Sequence, residues 1–244
     1  MKLTAAKLKA VALIVLAMWS ITGFAQGGIK MYVMRNGAIV FQSPVSGIDS
    51  IVFKQTANDD NCQSFDNPQG VVINGVRWAT RNVGAPGTFA SSPCDYGEYY
   101  QFNKGTSDFM SYSDYWNSDY ANSDTWLPDN DPSPAGWRVP TFDEIKKLLD
   151  INCVTCERIG NNGLIGEKFT DKSTGNTLFL PAAGGNYDSD GVNYNAGDTG
   201  MYWCSSTVDK PYVYCLGFFN NGGTYVWSSY YGRYGRFSVR PVAK

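Results

Sequence analysis

Six cysteines and no histidine set the limits of the chemistry open to this chain of 244 residues. Without an imidazole, Ser205 and Ser206 have no base to activate them, and no lysine–serine spacing replaces it. A zinc site would need four cysteines or carboxylates, and Cys153-Val154-Thr155-Cys156 has no second CxxC to complete one. A redox reading of that pair requires a helix N-terminus to lower a thiol pKa. Here the pair follows the C-terminal end of a helix instead, so a local structural disulfide is expected. Carboxylates are plentiful, but no pair stands in a motif that would make an acid–base dyad. Asp129-Asn130-Asp131 and Asp188-Ser189-Asp190-Gly191 lack the spacing and terminal Glu of an EF-hand loop and read as solvated turns. Neither a catalytic group, a metal site nor a cofactor is expected.

The side chains best suited to function are aromatic. Tyr187 and Tyr194 stand in the 184–200 stretch among Asn186, Asn193 and Asn195. A second stretch, 219–235, carries Asn220, Asn221, Trp227, Tyr230, Tyr231 and Tyr234 with Gly232 and Gly235. Rigid rings beside small polar residues make contact surface for a glycan or a surface protein. The two stretches are expected to lie side by side at one edge of a sheet.

The elements that would hold them are short. Asn36-Gly37 between Met31–Arg35 and Ala38–Gln42 is a hairpin signal, because both central residues of a type I′ turn need positive φ. Ser50–Phe53 would add a third strand. Residues 26–56 thus read as a small β-hairpin module, and strands within 30–53 could pair with a second copy or complete a neighbour's sheet. A polar linker follows over 57–70, and the main domain spans 71–244. That domain opens with the hairpin Val71–Ile73, Asn74-Gly75, Val76–Trp78. One helix is clear over 142–149: Phe142, Ile145, Leu148 and Leu149 form its apolar face, Thr141 is the N-cap and Glu144 completes a capping box. Strands are expected over Thr177–Leu180, Tyr202–Ser206, Tyr212–Phe218, Thr224–Trp227 and Phe237–Val242. The class is α+β.

Register gives a second disulfide. If Val208–Pro211 is a four-residue loop, Thr207 faces Tyr212, and counting back sets Cys204 opposite Cys215 at disulfide distance. Cys62 and Cys94 then pair by elimination.

The first 25 residues read as a secretory signal cut after Ala25: basic Lys2, Lys7 and Lys9, an apolar run over Ala10–Met18, then Gly23-Phe24-Ala25. No cysteine follows the cut, so a lipid anchor is not expected, and the apolar run is too short to span a bilayer. An even cysteine count suits export and disulfides. Removing the signal leaves 17 basic side chains against 22 acidic, a net charge of −5. Such a surface does not suit nucleic acid or an anionic membrane. The expected place is extracellular, cell-surface or periplasmic.

Six blocks stand in a fixed order: Val76–Val83 (VRWATRNV), Asp95–Tyr100 (DYGEYY), Gly136–Thr141 (GWRVPT), Leu178–Gly184 (LFLPAAG), Tyr202–Thr207 (YWCSST) and Phe237–Val242 (FSVRPV). Together they resemble the Fibrobacter succinogenes major paralogous domain over 71–242. The resemblance implies a C-type-lectin-like fold, a twisted antiparallel sheet with one main helix and long loops, related to that of the formylglycine-generating enzymes. The N-terminal stretch resembles a module common in exported proteins of the Bacteroidetes. Ser133 stands where many members have a cysteine, and neither Glu-Pro-Asn nor Gln-Pro-Asp, the tripeptides of calcium-dependent sugar-binding lectins, occurs. The expected function is that of an exported, non-catalytic binding or adhesion module. The alternatives are an oxidase-type enzyme using Cys204 and Cys215 as a copper-binding pair, or a surface or pilus subunit.

Overall fold

The structure is a computed structural model. It describes residues 30–35, 38–44, 62–161, 164–185, 195–208, 212–219 and 225–244. The expected signal segment and the Ser50–Phe53 strand lie outside the described residues.

The chain divides into two compact units, Met1–Gln55 and Thr56–Lys244. In the first, strands β1 (Lys30–Arg35) and β2 (Ala38–Pro44) pair antiparallel, with Arg35 opposite Ala38 and a bulge between Val33 and Met34. The two strands thus form the expected hairpin.

The second unit combines few helices with many antiparallel strands in several open sheets. β3 (Val71–Ile73) and β4 (Val76–Trp78) form the expected hairpin, with Asn74 at φ +45° and Gly75 at +76°, the two positive angles of a type I′ turn. After β5 (Tyr100–Gln101) comes the short helix α1 (Tyr112–Trp116). β6 (Trp137–Arg138) leads into α2 (Phe142–Leu148). The capping box is present: Thr141 Oγ1 accepts from the Glu144 N–H, and the Glu144 carboxylate accepts from the Thr141 N–H. Arg138 adds a two-bond ion pair to the same carboxylate. Ile145 and Leu148 are buried, while Phe142 and Leu149 pack at the margin of the core.

Strands β7 (Val154–Asn161), β8 (Leu164–Asp171) and β9 (Thr177–Pro181) form one antiparallel sheet. The β7–β8 hairpin was not expected. Asn161 faces Leu164 across Asn162-Gly163, another Asn-Gly signal, which sequence reading passed over.

The sheet of β10 (Gly200–Thr207), β11 (Tyr212–Phe219) and β12 (Tyr225–Gly232) organises the rest. Its residues alternate between two cores. Tyr202, Cys204, Leu216 and Phe218 join α2, β4 and β9 side chains (Ile145, Trp78, Leu178, Leu180) in one cluster. Met201, Trp203, Val213 and Cys215 join Tyr100, Phe102, Trp126, Phe237 and Val239 in the other. The period of two along a strand therefore decides which core each residue enters. The expected single strand Phe237–Val242 is instead two short pieces, β13 (Arg236–Phe237), paired with β5, and β14 (Val242–Ala243), set between β4 and β6.

Parity corrects the expected 204–215 disulfide. Cys215 stands opposite Trp203, not Cys204, and an irregularity between Trp203 and Thr207 brings Thr207 opposite Val213 rather than Tyr212. Cys204 is buried in one core and Cys215 in the other, and each remains a thiol. The expected 153–156 disulfide is likewise not formed. Cys153 precedes β7 and Cys156 is its third residue, so three extended steps of about 3.3 Å carry them beyond bonding reach. Cys62 and Cys94 are bonded, with Cα atoms 5.8 Å apart. From Cys62 onward, the expected linker packs into the domain: Cys62 is fully buried and Phe65 stacks on Phe179 at 5.2 Å.

Candidate interaction surface

The loop-rich stretch between β5 and β6 is held from within by buried amides and cations. Gln101 is 1% exposed. Its Nε2 donates to the Met110 and Tyr234 carbonyls, both at 3.0 Å, and its Oε1 accepts from the Met110 N–H at 2.9 Å. One side chain therefore ties the approach to α1 to the turn after β12. Asn103, at φ +58°, accepts from the Leu127 N–H at 2.8 Å and donates to the Tyr120 carbonyl at 3.2 Å. Arg233 is fully buried, donates to the Ala121 and Ser123 carbonyls and lies 5.3 Å from the Phe102 ring centre. Arg236 donates to the Ser107 carbonyl at 2.6 Å and lies 6.0 Å from the Phe109 ring centre. Burial lowers the pKa of both guanidiniums, and carbonyl oxygens and ring faces take up part of their hydrogen-bonding and charge, while Arg233 Nε and Nη2 and Arg236 Nε make no hydrogen bond among the described residues.

This scaffold presents rings to solvent. Ser111 caps α1 through the Asp114 N–H. Tyr115 anchors the helix from below, fully buried with its hydroxyl donating to the Phe102 carbonyl at 2.9 Å. On the outer side Tyr112 is 59% exposed and Phe109 39%. The Tyr112 ring meets Tyr234 edge to face at 4.9 Å and Trp116 at 6.1 Å. Asp108, Asp114 and Asp119 are exposed in the same stretch. The result is a rigid aromatic cluster flanked by carboxylates.

Of the residues singled out by sequence, Tyr187, Tyr194, Asn220 and Asn221 lie outside the described residues. Trp227, Tyr230 and Tyr231 belong to β12 rather than to a loop, opposite Gly217, Tyr214 and Val213. Gly200 stands opposite Phe218, which sets the end of one expected loop beside the end of β11. Tyr230 and Tyr231 stand toward the other end of the sheet. Phe109, Tyr112 and Trp116 were not foreseen. The i, i+3, i+4 spacing of Tyr112, Tyr115 and Trp116 after Ser111 was the available signal.

Candidate chemistry elsewhere resolves into structure. Ser206 Oγ accepts from the Phe142 N–H at 3.0 Å at the start of α2. Asp131 accepts from the Ser133 and Val139 N–H groups, both at 2.9 Å. Burial pushes the Cys204 thiol up to about 12, away from thiolate chemistry. Cys156 donates to the Glu167 carboxylate at 3.1 Å, a contact that favours the neutral thiol. Among the described residues no group of three or more Cys, Asp or Glu could hold a metal ion, and no helix is long and apolar enough to cross a membrane. No family model, curated protein or solved structure matches the chain.

Proposed function

We infer that the chain is an exported, non-catalytic binding module that holds a neutral glycan chain against the aromatic cluster of Tyr112, Trp116 and Tyr234. The observation that carries this reading is the exposed Tyr112 ring, locked edge to face on Tyr234 by a scaffold that Gln101 fixes from inside. Rings held in place lose little freedom on binding, and the nearby carboxylates accept hydroxyl protons while repelling anions. The order of the six sequence blocks, and a helix packed on an antiparallel sheet beside long loops, fit a C-type-lectin-like fold. The segment 1–25 fits export to the cell surface or periplasm. The oxidase reading needs two neighbouring thiols, whereas Cys204 and Cys215 enter different cores.

A glycan array with the purified chain tests the reading. Neutral glycans should be retained, and Tyr112→Ala with Tyr234→Ala should abolish retention while the melting temperature stays within a few degrees. A folded double variant that binds as before, or a chain that retains only protein ligands, would sink it.

A further inference from the structure

A cleft of about 270 Å³ shares no lining residue with the aromatic cluster. Its walls are apolar. Trp137 of β6 and Phe89 meet edge to face at 5.7 Å and 80°, and Pro68 adds a third surface. Gly70, at φ +75°, allows the indole in: a Cβ there would come within 2.6 Å of the Trp137 ring. The polar part is one ion pair. Arg81 donates from Nε to Asp66 Oδ1 at 2.9 Å and from Nη2 to Asp66 Oδ2, and its Nη1 donates to the Ser91 carbonyl at 2.9 Å. Thr80 is hydrogen-bonded to the Asn67 backbone. Cys62–Cys94 and the Phe65–Phe179 stack fix the segment that carries Asp66. The walls and the pair are thus in place before any ligand arrives.

The chemistry of this lining selects among ligands. Its formal charge is zero, so a free anion meets Asp66 and a free cation meets Arg81. A wholly apolar guest would strip water from both ions and return no hydrogen bond, which is costly. Side-chain exposures of 30% for Arg81 and 13% for Asp66 leave each with an edge open to the cleft. A hydroxylated ring answers both demands, because each hydroxyl donates and accepts while the ring's C–H face lies on an indole. At about 30 Å³ per water the space holds about nine waters, enough for one ring and its substituents.

We propose that this cleft binds a single neutral pyranose ring, its C–H face on Trp137 and neighbouring hydroxyls on the Asp66 carboxylate and Arg81 guanidinium. The proposal rests on the glycan-binding reading and adds a site separate from Tyr112 and Tyr234.

Saturation-transfer NMR on the intact chain tests it, with the methyl glycosides of glucose, galactose, mannose and N-acetylglucosamine as probes. Cyclohexanol and glucuronate are the controls. At least one glycoside should bind in the millimolar range and shift the Trp137 indole N–H, while both controls bind more weakly. Trp137→Ala should weaken binding by about tenfold or more. Trp137→Phe, which keeps an aromatic face, should retain part of it. Three results would overturn the proposal: no glycoside bound by folded protein, cyclohexanol bound as tightly, or a glycoside that binds without moving the Trp137 signal. Glycans retained on the array by a chain whose Trp137 never responds would leave the aromatic cluster as the site and remove the cleft.

Discussion

Arg240 donates from Nε to Asn82 Oδ1 at 2.8 Å, with both residues buried. That contact joins the first and last of the six sequence blocks. Arg240 also donates to the Ala79 carbonyl at 3.2 Å, and Asn82 donates to the Tyr96 carbonyl at 3.0 Å. Burial lowers the Arg240 pKa to about 10, leaving it charged at neutral pH, and among the described residues no carboxylate forms an ion pair with it. Arg240→Ala should cost about 3–5 kcal/mol in urea unfolding, through a cavity and an orphaned Asn82 oxygen. Arg240→Met, which keeps the volume, should cost clearly less. A loss under 1 kcal/mol for the alanine variant would show that the contact carries little stability.

Thr141→Ala should cost about 1 kcal/mol by the loss of the α2 cap. Thr141→Ser, which keeps the hydroxyl, should restore most of it. Equal stability of all three chains in denaturant titration would contradict the role of this cap.

Helix α2 was legible because its signals are local: an apolar period, a cap and a box within nine residues, 141–149. The Asn-Gly hairpins at 36–37 and 74–75 were legible for the same reason. The Cys204–Cys215 register failed because it rested on Thr207 facing Tyr212: Thr207 faces Val213, and that one-residue difference sets the two thiols on opposite faces and so in different cores. Strand β12 was cut short at Trp227, since Ser228-Ser229-Tyr230-Tyr231-Gly232 reads as loop until a paired neighbour is known. The aromatic cluster was hidden because Met110, just ahead of Tyr112, and Tyr234 are joined through Gln101, a contact no local pattern announces.

Peptide mapping of the unreduced chain should give one bond, Cys62–Cys94, and leave Cys204 alkylated only after unfolding. Replacing Cys62 and Cys94 by serine should destabilise by about 3–4 kcal/mol, since the bond closes a loop with a sequence separation of 32. A Cys204–Cys215 peptide from native protein would refute the register described above.

Acid should unfold the protein through carboxyls held in the charged form. Arg81 lowers the pKa of Asp66, and Lys104 lowers that of Asp108 to about 2. The Ser173 hydroxyl, with the Asn74 and Thr174 N–H groups, holds Asp171 well below the usual carboxylate range. Each is depressed in the fold, so the unfolded chain takes protons first. Their contribution is complete above about pH 4 and is lost as pH falls through the folded values. Asp171→Asn should lower the melting temperature at pH 7 and flatten its fall below pH 4. Parallel curves for the two chains would show that Asp171 is not among the responsible groups.

The Cys62–Cys94 bond also decides what a protease can release. A cut in 56–61 severs the chain ahead of the bridge, so the backbone and the bridge then leave no covalent link between the two units. A cut anywhere in 63–93 severs the backbone but not the molecule, because the two fragments remain joined through sulfur until a reductant arrives. Breaking the covalent tie to the N-terminal hairpin thus needs one enzyme at one side of Cys62, and an enzyme plus a reductant at the other.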